Sequence, residues 1–548
     1  MSATAAARAI VTALAAAGVR DVVVSPGSRS APFAYAVAGA EEAGWLRAHV
    51  RLDERGAGFM AVGLARAAHR GGAPRPVAVV TTSGTAVANL HPAVLEASHS
   101  GLPLVLVTAD RPHEFRGTGA NQTTTQSGIF GPAVRAALDL PAGVPAAAVP
   151  GHVTRLVAAA LGTISSDPGP VHLNVALREP LAPPDRWVPG RLPAGVPVTP
   201  PAPPPPLTLA AGLRTVVVAG DGAGAAAAAV ARAGGWPLLA EPTSGARLPG
   251  AIVHYQALLA AGLGERAERV VVFGHPTLSR PVSALLARAD AEVVVVGAGP
   301  RWTDVAGVAT AVAGAVAPEP PAASDRRWAE AWQRADADLE DGWEPSGLEG
   351  AARLLWGTAG AAPLVLGSSN VVRAVDMAAR PAPVRAHANR GLAGIDGTLA
   401  TAIGLAAGVG TPVRAVVGDL TFLHDAGSLA RGATEPAVDL QVVVLNDGGG
   451  GIFASLEYGA HPDRATFRRF FTTPQAVDLA PLARAYGGRH TLAELPALAR
   501  LGPPGPGSGL HVVEVPIDVA EFVRSRRRLV ARALDVVARH LTAGSQDS

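Results

Sequence analysis

Short apolar runs alternate with alanine-rich stretches of helical periodicity along nearly the whole chain. In the first third, runs such as DVVV, VAVV and LVLV each lead into a turn and then into a segment whose apolar residues recur at helical spacing. Strand, turn, helix and strand in succession is typical of a parallel sheet covered by helices on both faces. The alternation returns at VVVAGDGAG and again at APLVLGSSN. The pattern predicts an α/β protein with three Rossmann-like parallel-sheet domains.

Composition changes mark the boundaries between these regions. The stretch VPVTPPAPPPPLTL reads as an extended, proline-rich linker, and a charged helical stretch beginning at Ser324 carries the chain onward from the middle region. We therefore expect four segments: an α/β domain at 1–185, a proline-rich linker at 186–209, a central Rossmann-like domain at 210–345 and a third α/β domain at 346–548.

Composition and charge exclude several classes of function. All 46 basic residues are arginine and there is no cysteine, which removes lysine Schiff-base catalysis, a Walker A loop, thiolate nucleophiles and iron–sulfur clusters. The formal net charge is only +2 and no basic run occurs, so we expect no nucleic-acid partner. No uncharged apolar run reaches the roughly 18 residues of a membrane span. These features favour a cytoplasmic enzyme.

Two glycine-rich loops compete as the candidate binding site. In the first, Gly220, Gly222 and Gly224 follow an apolar strand and precede a helix, and Glu241 comes about 20 residues later. This order is similar to a dinucleotide fingerprint with a ribose-binding acid, which would indicate an oxidoreductase. The spacing is GxGxG rather than GxGxxG, so a tight structural turn is the other interpretation.

The second loop, VVVLNDGGGGIF, has a partner elsewhere in the sequence. Asn446 ends an apolar strand before four glycines, and Asp419 follows another apolar strand 27 positions earlier. Carboxylate, amide and backbone carbonyl oxygens suit Mg²⁺ holding a diphosphate, and glycines let backbone N–H groups approach phosphate. Each motif alone could be a strand-capping turn. Two such motifs on strands predicted to be adjacent favour a metal–diphosphate site.

Together these loops resemble the metal–diphosphate motif of thiamine diphosphate-dependent enzymes. Among those enzymes the chain is similar to the 2-succinyl-5-enolpyruvyl-6-hydroxy-3-cyclohexene-1-carboxylate synthase family of menaquinone biosynthesis. The middle region contributes little to the resemblance. It is carried by the following segments of the two outer regions: SPGSRSAPF, LDERGAGFMAVGLAR, TSGTAVANLHPAVLEA, TADRPHEFRGTGANQ, NRGLAGIDGTLATAIGLAAG and GDLTFLHD.

The resemblance implies an architecture, a cofactor and a reaction. The three domains would be pyrimidine-binding, central and diphosphate-binding, with thiamine diphosphate held through Mg²⁺ or Mn²⁺. The reaction would be decarboxylation of 2-oxoglutarate and 1,4-addition of the succinyl carbanion to isochorismate. The active sites would lie between the subunits of a homodimer or a dimer of dimers.

The resemblance also assigns roles to individual residues. Glu54 would be catalytic, acting on the aminopyrimidine ring of the cofactor; its alternative is a first-turn glutamate stabilised by the helix dipole. The metal ligands would be Asp419, Asn446 and Gly448. Other cofactor-binding residues would be Ser369, Gly418, Leu420, Gly449, Ile452 and Phe453. Substrate-binding residues would be Ser28, Arg29, Arg111, Asn121, Gln122, Arg373 and Arg390.

The sequence departs from the family pattern at two positions, and several alternative interpretations stay open. Leu420 stands where the wider superfamily has a glycine, and Asp447 stands where the family usually has a second asparagine, so the role of Asp447 is undecided. Arg280 and Arg301 of the middle region could face substrate or an acidic effector. The alternatives are an acetolactate synthase-like carboligase or 2-oxo acid decarboxylase, a dinucleotide-dependent oxidoreductase and a non-catalytic binding module.

Overall fold

The computed structural model describes residues 1–70, 72 and 74–543. Two sheets of six strands, one of five and one of two make up its β-structure. The strand pairs of the first two large sheets are parallel, and helices connect most of their strands. The predicted α/β class with Rossmann-like parallel sheets is therefore confirmed.

The first large sheet lies within residues 1–185 and has the strand order β2-β1-β3-β4-β6-β5. Its strands are β1 (Asp21–Val24), β2 (Arg47–Val50), β3 (Val77–Thr81), β4 (Leu104–Asp110), β5 (Ala137–Leu140) and β6 (Val171–Ala176). Its helices are α1 (Ala3–Ala16), α2 (Ala31–Glu42), α3 (Glu54–Arg70), α4 (Thr85–Asn89), α5 (His91–His99) and α6 (Val149–Ala160).

Burial explains why the apolar runs became the inner strands. Every residue of β1, β3, β4 and β6 is buried, as expected for parallel strands covered by helices on both faces. The edge strands β2 and β5 keep polar or partly exposed positions. The sheet therefore directs the carboxyl ends of its buried strands, and the loops that follow them, toward one edge.

The middle of the chain forms the five-stranded sheet, in the order β12-β11-β10-β8-β9, and the two-stranded sheet β13-β7. The predicted linker has no helix or strand until Leu207, where its last three residues form β7. The strands are β7 (Leu207–Leu209), β8 (Thr215–Ala219), β9 (Leu238–Ala240), β10 (Arg269–Phe273), β11 (Glu292–Val296), β12 (Ala311–Ala313) and β13 (Val316–Pro318). The helices are α7 (Ala225–Gly234), α8 (Tyr255–Ala260), α9 (Arg280–Leu286) and α10 (Ala323–Glu340).

The last third forms the other six-stranded sheet, in the order β15-β14-β16-β17-β19-β18. Its strands are β14 (Leu364–Leu366), β15 (Ala386–His387), β16 (Val413–Gly418), β17 (Leu440–Asn446), β18 (Arg489–Leu492) and β19 (Leu510–Pro516). Its helices are α11 (Gly347–Gly357), α12 (Asn370–Ala378), α13 (Thr398–Val409), α14 (Asp419–His424), α15 (Arg464–Phe467), α16 (Leu479–Ala485) and α17 (Val519–Ala543).

By packing, the chain forms two compact units. The first contains 1–202, 391–411 and 424–440, and the second contains 203–390, 412–423 and 441–548. Helix α13 therefore belongs to the first unit although its neighbours in sequence belong to the second. The predicted domain boundaries stay a prediction.

Helices α3 and α13 pack closely within the first unit because glycines lie at their contact. A Cβ built on Gly63 would lie 2.1 Å from the carbonyl oxygen of Thr401, and one on Gly404 would lie 2.0 Å from that of Met60. Any side chain at either position would separate the two helices. This contact fixes the helix that begins at Glu54. None of the helices in the described part of the chain combines the length and the apolar character that a membrane crossing requires.

Candidate active site

The carboxyl ends of β16 and β17 place the predicted metal-binding loops side by side. The two strands are neighbours in the sheet, as the sequence predicted. Asp419 begins α14 directly after β16, and Asn446 is the last residue of β17. Side chains that follow adjacent parallel strands meet at the same edge of the sheet, where ligands bind in open α/β folds.

Two carboxyl groups meet at this edge. Asp419 is 5% exposed, and its carboxyl group shares a hydrogen bond with that of Asp447. Burial, and then the negative charge of Asp419, together raise the pKa of Asp447 from its ordinary 3.8 to about 7. Burial also raises the pKa of Asp419. In the protein alone, one proton therefore compensates two adjacent acids, and a divalent cation could replace it.

The side chain of Asn446 forms its hydrogen bonds with β19 and with its own loop. Its amide Nδ2 donates to Glu514 Oε1 at 2.7 Å, and its Oδ1 accepts from the backbone N–H of Gly448 at 3.0 Å. The Asn446 side chain is therefore bonded to Glu514 of β19, whereas the next residue, Asp447, bonds to Asp419 after β16. The structure thus brings Asp447 to Asp419, where the sequence analysis expected Asn446 and left Asp447 open.

The glycines after Asp447 allow its carboxylate to fold over the loop. A Cβ on Gly451 would lie 2.0 Å from Asp447 Oδ2, so a side chain there would displace the carboxylate. Gly449 has φ +139°, which disfavours other residues, and a Cβ there would lie 2.2 Å from the carbonyl oxygen of Thr472. Asp447 and Asp419 both accept hydrogen bonds from the backbone of Gly449. Glycine is therefore required for the position of Asp447.

The loop between β14 and α12 adds polar groups next to β16. The backbone N–H of Gly367 donates to the carbonyl oxygen of Val416 at 2.8 Å, which ties this loop to the strand before Asp419. Asn370 is 6% exposed, and both polar atoms of its amide are buried without a hydrogen-bond partner. An unsatisfied buried amide is costly, so it indicates a missing polar ligand. Ser369 is half-buried beside it.

These residues fit a divalent cation with an attached anionic group. In the described ranges, no cluster of three or more histidine, aspartate or glutamate side chains could hold a metal. An ion at Asp419 and Asp447 would therefore complete its oxygen shell from backbone carbonyls, water and ligand oxygens. The remaining predicted cofactor residues lie in the same loops: Gly418 at the end of β16, Leu420 in α14, Gly448 after Asp447, and Ile452 and Phe453 in the 3-10 turn Gly451–Ser455.

Two predicted substrate arginines lie in the second unit. Arg373, on α12, donates from Nη1 to the carbonyl oxygen of Ser369 at 2.8 Å; burial and then the charge of Arg390 lower its pKa. Arg390 is 2% exposed and donates from Nη2 to Thr277 Oγ1 at 2.8 Å. Its Nε and Nη1 are buried without a hydrogen-bond partner. Buried arginine nitrogens without partners fit an anionic ligand.

Glu54 lies in the first unit, at the first position of α3. It is half-buried, and its Oε2 accepts a hydrogen bond from Asn89 Nδ2 at 3.4 Å. The glycine contact with α13 holds the helix that Glu54 begins, and the bond from Asn89 orients its side chain. The position fits a carboxylate that makes a directed contact with a ligand.

Arg29 and Arg111 lie together in the first unit. Arg29 is 5% exposed, and burial and then the charge of Arg111 lower its pKa. Arg29 Nη1 donates to the carbonyl oxygen of Leu177 at 2.9 Å, and Glu179 approaches its Nη2 at 3.6 Å from an exposed position. The Nε atoms of both arginines are buried without a hydrogen-bond partner. Two adjacent guanidinium groups with free donors favour a carboxylate.

The loop that carries Asn121 and Gln122 is anchored to the loop after β3. Gln122 has φ +56°; its Nε2 donates to the carbonyl oxygen of Ser83 at 2.9 Å, and Ser83 Oγ donates to the Gln122 carbonyl at 2.9 Å. Asn121 and Ser28 are exposed. Gln126, which the sequence analysis did not single out, is 1% exposed and accepts from the N–H of Gly84 at 2.9 Å. Gln126 therefore anchors the loop.

The first glycine-rich loop offers no comparable opening. A Cβ on Gly220 would lie 2.0 Å from the backbone nitrogen of Pro276, so the chain itself fills the space in front of that glycine. Glu241 is 2% exposed, and its Oε1 accepts from the N–H groups of Thr277 and Leu278 at 3.0 and 2.9 Å. That carboxyl group anchors the Thr277–Leu278 backbone. The geometry therefore favours the tight structural turn over the dinucleotide interpretation.

Sequence reasoning missed several residues that the structure singles out. Besides Gln126 they include Asn370 and Glu96, which accepts from the N–H groups of Gly391 and Leu392 at 2.9 and 3.0 Å. Glu96 is a lone acid in the apolar run AVLEA, a signal that could have marked it as a buried acceptor. Asn370 had no such signal in the sequence, because only the folded structure shows that its buried amide has no hydrogen-bond partner.

Comparisons with known proteins agree with this geometry. The profile described as thiamine pyrophosphate enzyme, N-terminal TPP binding domain matches residues 4–129. A curated relative from Kineococcus radiotolerans, named 2-succinyl-5-enolpyruvyl-6-hydroxy-3-cyclohexene-1-carboxylate synthase, is 48% identical over 97% of this chain and 98% of its own. Relatives of the same name from a Nocardioides species and from Paenarthrobacter aurescens are 47% and 45% identical, covering 96% and 98% of this chain and 98% of each relative. Because this similarity extends over nearly the full length of both chains, the protein belongs to the 2-succinyl-5-enolpyruvyl-6-hydroxy-3-cyclohexene-1-carboxylate synthase family of thiamine diphosphate-dependent enzymes.

Proposed function

We propose that this protein decarboxylates 2-oxoglutarate and adds the resulting succinyl group to isochorismate by a 1,4-addition, with thiamine diphosphate and Mg²⁺ or Mn²⁺. The observation that carries the proposal is the full-length similarity to relatives that bear the name of this synthase. In this proposal, 1–185 is the pyrimidine-binding domain, 210–345 the central domain and 346–548 the diphosphate-binding domain, joined by the linker 186–209.

The second unit would hold the diphosphate end of the cofactor. Asp419 and Asp447 would bind the metal ion, with backbone oxygens and N–H groups of the glycine loop contributing to the ion and the phosphates. Asn446 would orient the loop through Gly448. Asn370 and Ser369 would form hydrogen bonds with the bound cofactor. When bound, thiamine diphosphate supplies an electron sink for the bond that is broken as CO₂ leaves.

Glu54 would act at the other end of the cofactor. We assign it a hydrogen bond to N1′ of the aminopyrimidine ring, where it would hold the proton shared with that nitrogen. The contact with Asn89 at 3.4 Å and the fixed start of α3 support this orientation. Ile452, in the turn after the glycines, would support the bent conformation of the cofactor.

The arginines would bind the carboxylates of the two substrates. Arg29, Arg111 and Arg390 each keep a buried guanidinium nitrogen without a hydrogen-bond partner, which supports bidentate binding of a carboxylate. Ser28, Asn121 and Gln122 would add polar contacts, and Arg373 would add a further positive charge. A set of this kind suits two dicarboxylates better than the small neutral acceptors of acetolactate synthase-like enzymes.

The active site would be completed between subunits. We propose a homodimer or a dimer of dimers in which Glu54 of one subunit faces the metal loop of another. Leu52, two residues before Glu54, leaves 81% of its surface exposed, which supports a partner at this position. The chain has no cysteine, and we assign the reaction to the cytoplasm.

The decisive experiment follows isochorismate consumption with and without 2-oxoglutarate, thiamine diphosphate and Mg²⁺. We expect consumption only when all three are present. Pyruvate in place of 2-oxoglutarate tests the carboligase alternative, and turnover of pyruvate at a similar rate would favour that enzyme class. Glu54→Gln should bind the cofactor normally and lose about 10²- to 10⁴-fold in turnover. Undiminished turnover of that variant would remove Glu54 from the proposal.

A further inference from the structure

A cavity of about 600 Å³ lies within the second unit. Its walls are the start of α9, helix α12, the turn after the four glycines, which contributes Ile452, and helix α17. A volume of this size is typical of sites for small organic ligands. Four arginines and no acidic residue line it: Arg280, Arg373, Arg526 and Arg527. The cavity therefore favours an anion.

Helix α17 contributes two adjacent rows of residues to this cavity, and the second row is Val523, Arg527 and Ala531. Phe522, Arg526, Val530 and Leu534 form the first row, and they follow one another at intervals of four residues. Residues four apart lie on the same side of a helix. Arg526 is thus one cation in an otherwise apolar row that faces a cavity, whereas a solvated arginine would lie on the outer face of the helix.

Arg526 is a cavity-lining cation that no described residue pairs with through a hydrogen bond or an ion pair. Its side chain is half-buried. Burial and the charge of Arg280 lower its pKa, while Glu349 acts in the opposite direction. The charge of Arg526 in turn lowers the pKa of Arg373 across the cavity. Like charges converge here, and a bound carboxylate would relieve their repulsion.

Ser279 supplies a second, independent sign of a ligand. It lines the same cavity, is 8% exposed, and its hydroxyl group is buried without a hydrogen-bond partner. A buried hydroxyl group without a partner is destabilising in the protein alone. A carboxylate between Ser279 and Arg526 would satisfy both groups.

We propose that Arg526 of α17, together with Ser279, binds a carboxylate of the ring substrate, isochorismate, and thereby determines acceptor specificity. The proposal rests on the proposed function of the protein. The apolar row beside Arg526 would pack against the ring, which the acyclic 2-oxoglutarate lacks. Arg526 would therefore act on the second substrate and leave the donor step unaffected.

Steady-state kinetics of Arg526→Gln in the full-length holoenzyme tests the proposal. We expect KM for isochorismate to rise about ten- to a hundredfold, because a charged hydrogen bond is lost. KM for 2-oxoglutarate and the Kd of thiamine diphosphate should stay within twofold. Arg526→Lys should recover part of the loss. Ser279→Ala, which removes only a hydroxyl group, should raise KM for isochorismate severalfold with an unchanged melting temperature.

Arg528→Gln is the matched control on the same helix. Arg528 is exposed, pairs with Glu521 at 2.9 Å and does not line the cavity, so its loss should leave both KM values unchanged. An unchanged KM for isochorismate in both Arg526→Gln and Ser279→Ala would overturn the proposal, as would an equal rise of both KM values. A wild-type protein that consumes no isochorismate would instead overturn the proposed function.

Discussion

Two glycine-rich loops of this protein look alike in sequence and differ in the chemical group that lies against their glycines. Each follows a buried parallel strand, one after β8 and the other after β17. At the first, the backbone of Pro276 fills the space in front of Gly220. At the second, Gly451 leaves room for the carboxylate of Asp447, which meets Asp419.

The difference shows why two similar glycine turns can have different roles in binding. Glycine permits a close approach at both loops, but the approaching group decides the outcome. In the first loop the approaching group is the chain's own backbone, and the nearby Glu241 accepts from two backbone N–H groups with its Oε1. In the second loop the approaching group is the carboxyl group of Asp447, which shares a hydrogen bond with Asp419. A glycine pattern alone therefore indicates a tight turn, and the neighbouring segments indicate the ligand.

The largest effect should follow removal of the carboxylates of the second loop. Asp447→Ala and Asp419→Ala should each weaken Mg²⁺-dependent thiamine diphosphate binding about 100-fold or more, because each removes a ligand of the ion. Calorimetric titration measures the change. Asp447→Asn, which keeps an oxygen ligand, should lose much less. Asp221→Ala, in the first loop, is the control, and it should leave the titration unchanged; an unaltered Asp447→Ala titration would contradict the metal assignment.

The next effect concerns stability at the first loop. Gly220→Ala places a Cβ 2.0 Å from the backbone nitrogen of Pro276, so one of the two segments must move. We expect a loss of about 1–3 kcal/mol in the free energy of unfolding, as for other overpacked sites. Urea denaturation provides the measurement. The Kd of thiamine diphosphate should not change in the folded variant, and a weakened cofactor affinity would show that the loop has a binding role after all.

A smaller effect is expected from the equivalent change in the second loop. Gly451→Ala places a Cβ 2.0 Å from Asp447 Oδ2, so the carboxylate must turn away from Asp419. Because the ligand is displaced but still present, we expect cofactor binding to weaken about tenfold. The melting temperature of the protein without cofactor should change little. If Gly451→Ala altered stability and left the Kd unchanged, the contrast between the loops would be wrong.

A further effect is a pH dependence at Glu241. Burial, and then the charge of Asp376, raises the pKa of Glu241 from its ordinary 4.5 to about 8. Below pH 4.5 the carboxyl group is protonated in both the folded and the unfolded state, so its stabilising contribution is complete. Between pH 4.5 and about 8 only the folded state keeps the proton, and the contribution is lost as pH rises.

Glu241→Gln keeps the oxygen acceptor and removes the titration. The stability of the wild-type protein relative to this variant should therefore fall between pH 5 and pH 8.5, as measured by thermal unfolding at a series of pH values. Glu241→Ala, which leaves the N–H groups of Thr277 and Leu278 without an acceptor, should be less stable than Glu241→Gln at every pH. A constant difference across this pH range would mean that Glu241 is ionised in the folded protein.

Much of the fold was predictable because it depends on local patterns. Runs such as VVVL and VVVF are buried on both faces, which only strands of a covered parallel sheet require, and the charged stretch after residue 322 forms α10. The side-by-side position of Asp419 and Asn446 also followed from two strands ending in polar residues. The sequence alone could not show whether Asn446 or Asp447 contacts Asp419. That contact depends on the direction of each side chain at the end of the strand.

The sequence by itself determined the α/β class, the two candidate loops, the family resemblance and a chemistry without lysine or cysteine, because these follow from composition, periodicity and motif spacing. Tertiary structure alone decided that Asp447 meets Asp419, that Pro276 closes the loop at Gly220, and that Arg526 faces a cavity beside an unsatisfied Ser279. The physical reason is that these outcomes depend on contacts between residues far apart in the chain. Burial and the absence of a partner exist only after those segments have packed.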